Sequence, residues 1–158
     1  KASIEIGKDI RRINNSYSHL EKEIDKSLRK LNVPLIDLFY IHRKNPNVSI
    51  EIIMESLLKL EEKGKIKYIG FSEIAPSSLI SAHKIFPVSA IQSEYSLATR
   101  IAELGLLQTA ERLGISFVAF SPLSRGLLTD NPPSSRKIKN IRYVQVYIFI
   151  TFKDSLTN

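Results

Sequence analysis

The feature that most constrains this fold is a regular alternation of helix-like and strand-like segments along the chain. Segments with helical periodicity cover residues 18–31, 49–65, 76–85 and 102–114. A short apolar run follows each of them, at residues 35–41, 66–72, 88–92 and 115–121. Each run is mostly apolar on both faces, a pattern typical of parallel strands covered by helices. The order α-β-α-β-α-β-α-β therefore predicts an α/β fold, either a doubly wound open sheet or a (β/α)₈ barrel.

Residues that favour helix ends support these boundaries. Ser18 is predicted to cap the first helix, because a glutamate follows it at the capping-box spacing, and Asn32 is predicted to end that helix. Gly64 suits the left-handed residue after the second helix. Segment 102–114 is predicted to be one helix in spite of Gly105. One face of the first helix is predicted to be buried, with Leu20, Ile24, Leu28 and Leu31.

Polar side chains stand at the carboxyl end of every predicted strand. They are His42, the pair Ser72 and Glu73, Gln92, and Ser121. In a barrel these strand ends form the active-site face, so the pattern favours the barrel over the open sheet. No G-x-G-x-x-G motif follows any strand, which weakens the Rossmann alternative. Four strands make only half of an eight-stranded barrel.

Composition excludes several classes of protein. The sequence contains no Cys, which rules out disulfides and thiolate metal sites, and it fits a reducing cytosol. No apolar run is long enough to span a membrane, and no metal site is predicted. The net charge of 23 − 16 = +7 is compatible with nucleic acid, an anionic surface or a phosphate-bearing small molecule. Because this charge is spread along helices, solvated helix faces are the preferred interpretation, and we predict a cytoplasmic protein without nucleic-acid or membrane partners.

The end of the chain departs from the alternating pattern. Segment 142–152, RYVQVYIFITF, is rich in β-branched and aromatic residues and follows the Pro/Ser-rich stretch 130–140. Such a segment is an aggregation hazard when it is exposed. The densest group of basic residues lies nearby, at Arg136, Lys137, Lys139 and Arg142. We therefore predict two parts, a partial barrel over 1–130 and a divergent tail over 131–158.

Four motifs resemble those of the aldo/keto reductase superfamily, in particular its bacterial broad-specificity branch. They are IDLFYIH at 36–42, KIKYIGFSE at 65–73, AIQSEYSLATR at 90–100 and GISFVAFSPLSRGLLT at 114–129. The resemblance covers roughly residues 16–130 and implies a partial (β/α)₈ TIM barrel, about strands 4–7 with their helices. It also implies NADP(H) as the cofactor and a small carbonyl compound as the substrate. The implied reaction is hydride transfer, in which a Tyr acts as general acid beside a Lys, an Asp and a His.

The resemblance assigns catalytic positions to His42 and Lys1. His42 matches the His that donates a hydrogen bond to the substrate carbonyl oxygen, where negative charge develops. The alternative for His42 is a histidine satisfied at a strand end. Lys1 corresponds to the Lys that ends the family's third strand and lowers the pKa of the catalytic Tyr.

The resemblance also assigns a set of cofactor-binding residues. Ser72, with Glu73 beside it, and Gln92 match the groups that contact the nicotinamide carboxamide, and Phe120 matches an aromatic residue that stacks on the ring. The loop that cradles the pyrophosphate corresponds to Ser121, Leu123, Arg125 and Gly126, with Ser124 where the family usually has Gly. The structural alternatives are helix capping for Ser72, solvation for Glu73, backbone hydrogen bonding for Gln92 and core packing for Phe120. Structural or solvated roles are predicted for the remaining candidates, Tyr95, Arg100, His19 and His83.

Other family motifs have no match in the sequence. These are the catalytic Asp and Tyr motifs and the basic region that binds the 2′-phosphate of NADP. We therefore predict an incomplete barrel from a truncated product, an NADP(H)-dependent aldehyde and ketone reductase by family but with little or no turnover by itself. The alternatives are a regulatory module that binds nicotinamide without turnover and a non-functional remnant. The carbonyl substrate, the choice of NADP over NAD and the oligomeric state stay open.

Overall fold

A computed structural model describes residues 1–6, 11–132 and 148–150 of the chain. The strands are β1 (Ile4–Ile6), β2 (Arg11–Ile13), β3 (Ile36–Ile41), β4 (Ile66–Ser72), β5 (Val88–Glu94), β6 (Ser116–Phe120) and β7 (Ile148–Ile150). The helices are α1 (Tyr17–Leu31), α2 (Ile50–Glu62), α3 (Pro76–Ile85) and α4 (Leu106–Arg112), with 3₁₀ turns at Ile101–Glu103 and Ser124–Gly126. Strands β3 to β6 form the predicted parallel α/β sheet, with helices in the connections.

The chain divides into two compact units, an N-terminal unit of residues 1–91 and a C-terminal unit of residues 92–158. In the N-terminal unit the strand order is β3-β4-β5, and β3 pairs with β4 in parallel, with Leu38 opposite Tyr68. The short strands β1 and β2 form a separate antiparallel pair. In the C-terminal unit the order is β5-β6-β7, and β5 contributes residues to both units.

The core of the N-terminal unit follows the apolar periodicity of the sequence. Leu20 and Ile24 of α1 are fully buried, and so are Ile53, Met54 and Leu57 of α2. Each such side chain contributes about 1.5–3 kcal/mol through removal of apolar surface from water. The prediction that Leu31 shares the buried face is wrong, since this side chain is 63% exposed at the last position of α1.

The start of α1 differs from the prediction. Ser16, not Ser18, is the N-cap, and its hydroxyl accepts a hydrogen bond from the backbone N–H of His19 at 3.4 Å. The Asn14 side chain accepts from the Ser16 N–H at 2.9 Å, which fixes the extended backbone that a cap needs. Ser18 therefore lies inside the first turn. The end of α1 is as predicted, because Asn32 adopts the left-handed conformation there.

Gly105 interrupts the helix that the sequence predicts over 102–114. Its φ of 116° is open to glycine but costly for residues with a Cβ. The segment accordingly splits into the 3₁₀ turn Ile101–Glu103 and the helix α4, so the prediction of one continuous helix is wrong.

Residues 148–150 of the tail form a strand. β7 runs antiparallel to β6, with Phe117 opposite Ile150 and Ala119 opposite Ile148, and it covers an edge of β6 that would otherwise be open to pairing. Residues 142–147 and 151–152, like the basic group at 136–142, lie outside the described residues. The division of the chain near residue 130 stays a prediction. Within the described ranges no helix has the length and apolarity to cross a membrane, and no cluster of potential metal ligands occurs.

Candidate active site

The first residues of the chain lie along the carboxyl end of β3. Ala2 forms an isolated parallel bridge with Ile41, in which the Ala2 N–H donates to the Tyr40 carbonyl at 3.1 Å. The His42 N–H in turn donates to the Ala2 carbonyl at 2.8 Å. This pairing places Lys1 beside the strand end that carries His42.

Lys1 and Ser72 are brought together although 71 positions separate them. The Lys1 ammonium donates to Ser72 Oγ at 3.2 Å and lies 5.6 Å from the centroid of the Tyr40 ring. Burial lowers the pKa of Lys1 to about 8, and the positive charge of Arg43 adds to this shift while Glu73 opposes it. The structure thus holds a partly desolvated cation over the end of β4.

Ser72 is 2% exposed at the last position of β4, and Glu73 follows it, exposed, with a φ of 53°. The alternative that Ser72 caps α3 is wrong, because the N-cap of α3 is Ala75 and makes no side-chain cap. The Ser72 hydroxyl instead accepts from Lys1 and, at 3.3 Å, from Arg43 Nη1.

The loop after His42 is held by three polar side chains that sequence reasoning missed. Ser3 Oγ both accepts from the Arg43 N–H at 2.9 Å and donates to the Arg43 carbonyl at 3.0 Å. Asn15, 2% exposed, donates to the same carbonyl at 3.0 Å and accepts from the Asn45 N–H at 2.7 Å. The Asn45 side chain donates in turn to the Ile13 carbonyl at 3.0 Å. The backbone next to His42 is therefore fixed from two other segments of the N-terminal unit, and only the polar stretch NNS at 14–16 hints at this in the sequence.

In the C-terminal unit, Gln92 lies on β5 and is 5% exposed. Phe120 is partly buried at the end of β6, where its carbonyl accepts from the Tyr95 N–H at 3.3 Å. Ser121 follows with 3% exposure and a φ of 52°. Its hydroxyl is buried and has no hydrogen-bond partner among the described residues. An unpaired buried hydroxyl costs about 1–3 kcal/mol, so a ligand atom that bonds to it would be favoured.

The loop after Ser121 winds back on itself through its own backbone. The Ser124 N–H donates to the Ser121 carbonyl at 2.8 Å, and the Gly126 N–H donates to the Leu123 carbonyl at 2.9 Å. Ser124 and Arg125 share the left-handed conformation, with φ of 47° and 58°. Such residues cost roughly 1–3 kcal/mol each unless their surroundings hold them.

Two contacts hold this loop from the preceding strand connection. The Ser96 and Ser124 hydroxyl oxygens lie 2.7 Å apart, which supports Ser124 at the position where the family usually has Gly. Arg125 Nη2 lies 3.9 Å from Glu94 Oε1, at the surface. Leu123 is 42% exposed.

A pocket of about 320 Å³ lies within the C-terminal unit, and its lining residues are Tyr95, Ser96, Leu97, Arg100, Glu103, Ala119 and Pro122. Glu103 organises it, accepting from the Tyr95 hydroxyl at 2.8 Å and from Arg100 through two bonds of 2.8 and 2.7 Å. The two donors, Arg100 first, hold the pKa of the Glu103 carboxyl below its usual range. These contacts agree with the predicted structural roles of Tyr95 and Arg100.

The two helical histidines are less exposed than predicted. His19 and His83 are both partly buried. His83 Nδ1 accepts from the Val88 N–H at 3.2 Å, so it ties α3 to the start of β5. The sequence predicts solvated side chains for both, and in the structure each keeps only part of its surface exposed.

The fold is that of a parallel α/β chain with polar groups at its strand ends, the arrangement of part of a (β/α)₈ barrel oxidoreductase. The family model described as the aldo/keto reductase family matches residues 7–145. The chain therefore belongs to the aldo/keto reductase family, as its motifs imply. Members of this family use nicotinamide cofactors and act on small carbonyl substrates.

Individual relatives agree with this assignment. The chain is 43% identical over 113 residues to the aldo-keto reductase str7 from Strobilurus tenacellus, a match that covers 70% of this chain and 34% of that protein. The glycerol dehydrogenase AKR11B4 from Gluconobacter oxydans superposes with a TM-score of 0.79 at 29% identity, over 85% of this chain and 42% of that one. The holo form of the aldo-keto reductase AKR11C1 from Bacillus halodurans gives a TM-score of 0.69 at 28% identity, over 77% and 42%. The matched part thus spans a third to two fifths of the length of these relatives.

The residues present fit a nicotinamide cofactor in one testable respect. The buried, unpartnered hydroxyl of Ser121 belongs to the loop that the family motif assigns to the cofactor's pyrophosphate. A phosphate oxygen is an acceptor for such a hydroxyl.

Proposed function

We propose that this chain carries carbonyl-binding and cofactor-binding residues of an NADP(H)-dependent aldo/keto reductase that reduces aldehydes and ketones to alcohols. The observation that carries the proposal is the 3.2 Å contact between Lys1 and Ser72, beside the strand end that bears His42. This contact supports the proposal, because it joins residues from distant parts of the sequence that the family motif assigns to chemistry and to the nicotinamide. A cytoplasmic location, suggested by the sequence without Cys, is part of the same proposal.

In this proposal His42 holds the substrate carbonyl oxygen. Its imidazole would donate a hydrogen bond to that oxygen and stabilise the negative charge that grows on it during reduction. The backbone bonds from Ala2, Ser3 and Asn15 around His42 and Arg43 would fix the imidazole's position, because they leave the strand end little freedom. The Lys1 ammonium would add positive charge that favours an ionised or polarised oxygen nearby.

The remaining residues would bind the cofactor. The nicotinamide supplies the hydride when it is bound. The family motif assigns the Ser72 hydroxyl and the Gln92 amide to the nicotinamide carboxamide, whose donor and acceptor such groups can bond, and Glu73 follows Ser72 in the chain. Phe120 offers a ring face for stacking, and the pyrophosphate would be received by the backbone of the loop and the Ser121 hydroxyl. The residues of that loop are Ser121, Leu123, Arg125 and Gly126.

Titration of the 158-residue chain with NADPH, followed by cofactor fluorescence, tests the cofactor part. We expect saturable binding below ~1 mM and about tenfold weaker binding by Ser121→Ala, since a hydrogen bond to a charged group is lost. Ser27→Ala is the matched control, because the Ser27 hydroxyl donates to the Glu23 carbonyl within α1. Absence of saturable binding in this range, or equal loss in both variants, would refute the cofactor assignment.

Aldehyde-dependent NADPH oxidation tests the reductase part. Turnover that His42→Gln abolishes, while the variant retains NADPH affinity, would support the role of His42. Cofactor binding without any turnover would agree with the absence of matches to the catalytic Asp and Tyr motifs, and would identify the chain as a nicotinamide-binding module that does not turn over by itself.

A further inference from the structure

Arg43 is a cation that neither the sequence motifs nor the proposed function uses. It directly follows His42, and its Nη1 donates to the His42 carbonyl at 2.9 Å and to Ser72 Oγ at 3.3 Å. In the described part of the chain no carboxylate forms an ion pair with Arg43, and its Nε and Nη2 have no hydrogen-bond partner. The guanidinium is partly buried, so its charge is screened less than at an open surface.

A second cation shares the same hydroxyl. Lys1 Nζ lies 3.2 Å from Ser72 Oγ, so two positive groups approach one oxygen atom. After burial, the main cause, repulsion from Arg43 contributes to the lowered pKa of Lys1, and the opposing effect of Glu73 is the smallest of the three. The main chain restrains both cations. Ser3 and Asn15 hydrogen-bond to the backbone of Arg43, and the bridge at Ala2 holds the backbone next to Lys1.

The donor geometry indicates what kind of anion would relieve this repulsion. The unused Nε and Nη2 of Arg43 form one edge of a planar fork, which matches the two oxygens of a carboxylate. The nearby charges are the Lys1 ammonium and α-amino group, the Arg43 guanidinium and the Glu73 carboxylate, so this strand end is positive overall and can balance a singly charged anion. A strand end beside a candidate carbonyl-binding histidine is also where a substrate's second functional group would lie.

We infer that Arg43 and Lys1 form a carboxylate-binding site next to Ser72, and that the carbonyl substrates of this protein carry a carboxylate, as 2-oxo acids do. The substrate part of this inference rests on the proposed function. The binding part does not, because a carboxylate without a carbonyl would occupy the same site.

Carboxylate binding is measured directly on the 158-residue chain by following backbone amide shifts in ¹H–¹⁵N spectra. The probes are acetate and pyruvate, with inorganic phosphate as the competing anion. We expect saturable shifts at residues 42–43 and 72–73 and about tenfold weaker binding of both carboxylates by Arg43→Gln, since charge-assisted hydrogen bonds are lost. Arg43→Lys keeps the charge without the fork and is expected to bind with intermediate affinity.

Lys67→Gln is the matched control. It removes one positive charge from an exposed position on β4 and is expected to leave carboxylate affinity unchanged. Equal affinity in Arg43→Gln and the wild type, equal loss in Lys67→Gln, or phosphate binding tighter than acetate would overturn the inference. If circular dichroism shows that Arg43→Gln is unfolded, Arg43→Lys provides the same comparison.

The NADPH titration separates this inference from the proposed function. Carboxylate binding that depends on Arg43 in a chain that does not bind NADPH would support the site and refute the reductase assignment. NADPH binding without carboxylate binding would support the proposed function and refute the site. Preference for pyruvate over acetate in the presence of NADPH would support both.

Discussion

Lys1 Nζ lies 3.2 Å from the hydroxyl oxygen of Ser72, and the same hydroxyl receives Arg43 Nη1 at 3.3 Å. One neutral oxygen atom at the end of β4 therefore accepts hydrogen bonds from two cations. This relationship links the first residue of the chain to a strand end 71 positions later, and it has consequences for titration as well as for ligand binding.

The lowered pKa of Lys1 predicts a pH-dependent difference between the wild type and Lys1→Met. In the unfolded chain Lys1 keeps its usual pKa of 10.5, and in the folded chain burial, then Arg43, lower this pKa to about 8 while Glu73 opposes the shift. Between these values the unfolded chain binds more protons at Lys1, so this residue makes stability rise with pH from about 8 to 10.5. Tyr40 and the chain's α-amino group lie near the same ammonium and also have shifted pKa values, so the comparison must be a difference between variants.

Urea unfolding at about pH 7, 8, 9 and 10 measures that difference. The stability of the wild type relative to Lys1→Met is expected to increase across the upper three values and to be constant below them. A difference that stays flat up to about pH 10 would show that Lys1 is not desolvated in the folded chain.

Glu21 predicts an acid-dependent loss of stability in the N-terminal unit. Its Oε1 accepts from Lys63 at 2.9 Å, from Lys65 at 3.0 Å and from the Tyr17 hydroxyl at 2.9 Å, and these bonds lower the pKa of Glu21 to about 2. A depressed carboxyl pKa stabilises the fold above the unfolded value of 4.5, and this contribution disappears as pH falls toward 2.

Glu21→Gln is therefore expected to lower the urea midpoint at about pH 7 and to have little effect near pH 2. Glu23→Gln is the control, since Glu23 pairs with Lys26 at 3.6 Å at the surface, and such pairs contribute little. Equal effects of the two substitutions at neutral pH would contradict a special role for the Glu21 network.

Gly70 predicts a steric limit inside the sheet. A Cβ at this position would lie 2.7 Å from two carbons of the Tyr40 ring and 3.1 Å from the Ala90 carbonyl oxygen. Gly70→Ala is expected to destabilise the fold by about 1–3 kcal/mol, because the ring must move within a packed layer. Chemical denaturation of Gly70→Ala and of Gly70→Ala with Tyr40→Leu measures this, and the smaller side chain should recover part of the loss.

Gly64→Ala serves as the comparison for Gly70. Gly64 has a φ of +66°, and a Cβ added to it would meet nothing within 4 Å, so only backbone strain of about 1 kcal/mol is expected. If the double variant at Gly70 and Tyr40 were no more stable than the sum of its single changes, contact between the two residues would not explain the loss.

The hydrogen bonds of Asn15 are expected to stabilise the loop after β3. Asn15→Ala leaves the Arg43 carbonyl and the Asn45 N–H without this partner and is expected to cost about 1–3 kcal/mol. Hydrogen exchange at the Asn45 amide should accelerate in this variant, because that N–H donates to Asn15 Oδ1 at 2.7 Å. Asn47→Ala, at an exposed position in the same loop, should change neither quantity.

Much of the fold follows from local sequence. The strand 66–72 and the helix 76–85 have the predicted bounds, because apolar runs and a Pro in the first helical turn are local signals. The break at Gly105 and the cap at Ser16 are not predicted, because in each case the local sequence is compatible with two structures. A glycine is compatible with both a helix and a break, and two serines close together offer the same capping chemistry.

Only those residues of the candidate site that belong to a recognised sequence motif could be predicted. His42 and Ser72 lie at strand ends as the motifs imply, but the hydroxyl's two cationic partners come from 29 and 71 positions away. Asn15 likewise reaches Arg43 across 28 positions. Local patterns hold no information on such pairs, since the sheet register and the bridge at Ala2 create them.

The left-handed backbone of the loop after β6 determines which amino-acid substitutions this loop tolerates. Ser121, Ser124 and Arg125 each hold a backbone conformation that glycine adopts without penalty. Random mutagenesis followed by selection for thermal stability should therefore enrich glycine at position 124, although this substitution removes the hydroxyl contact with Ser96. Valine and isoleucine should be depleted at this position, because branching at Cβ raises the energy of the left-handed conformation further.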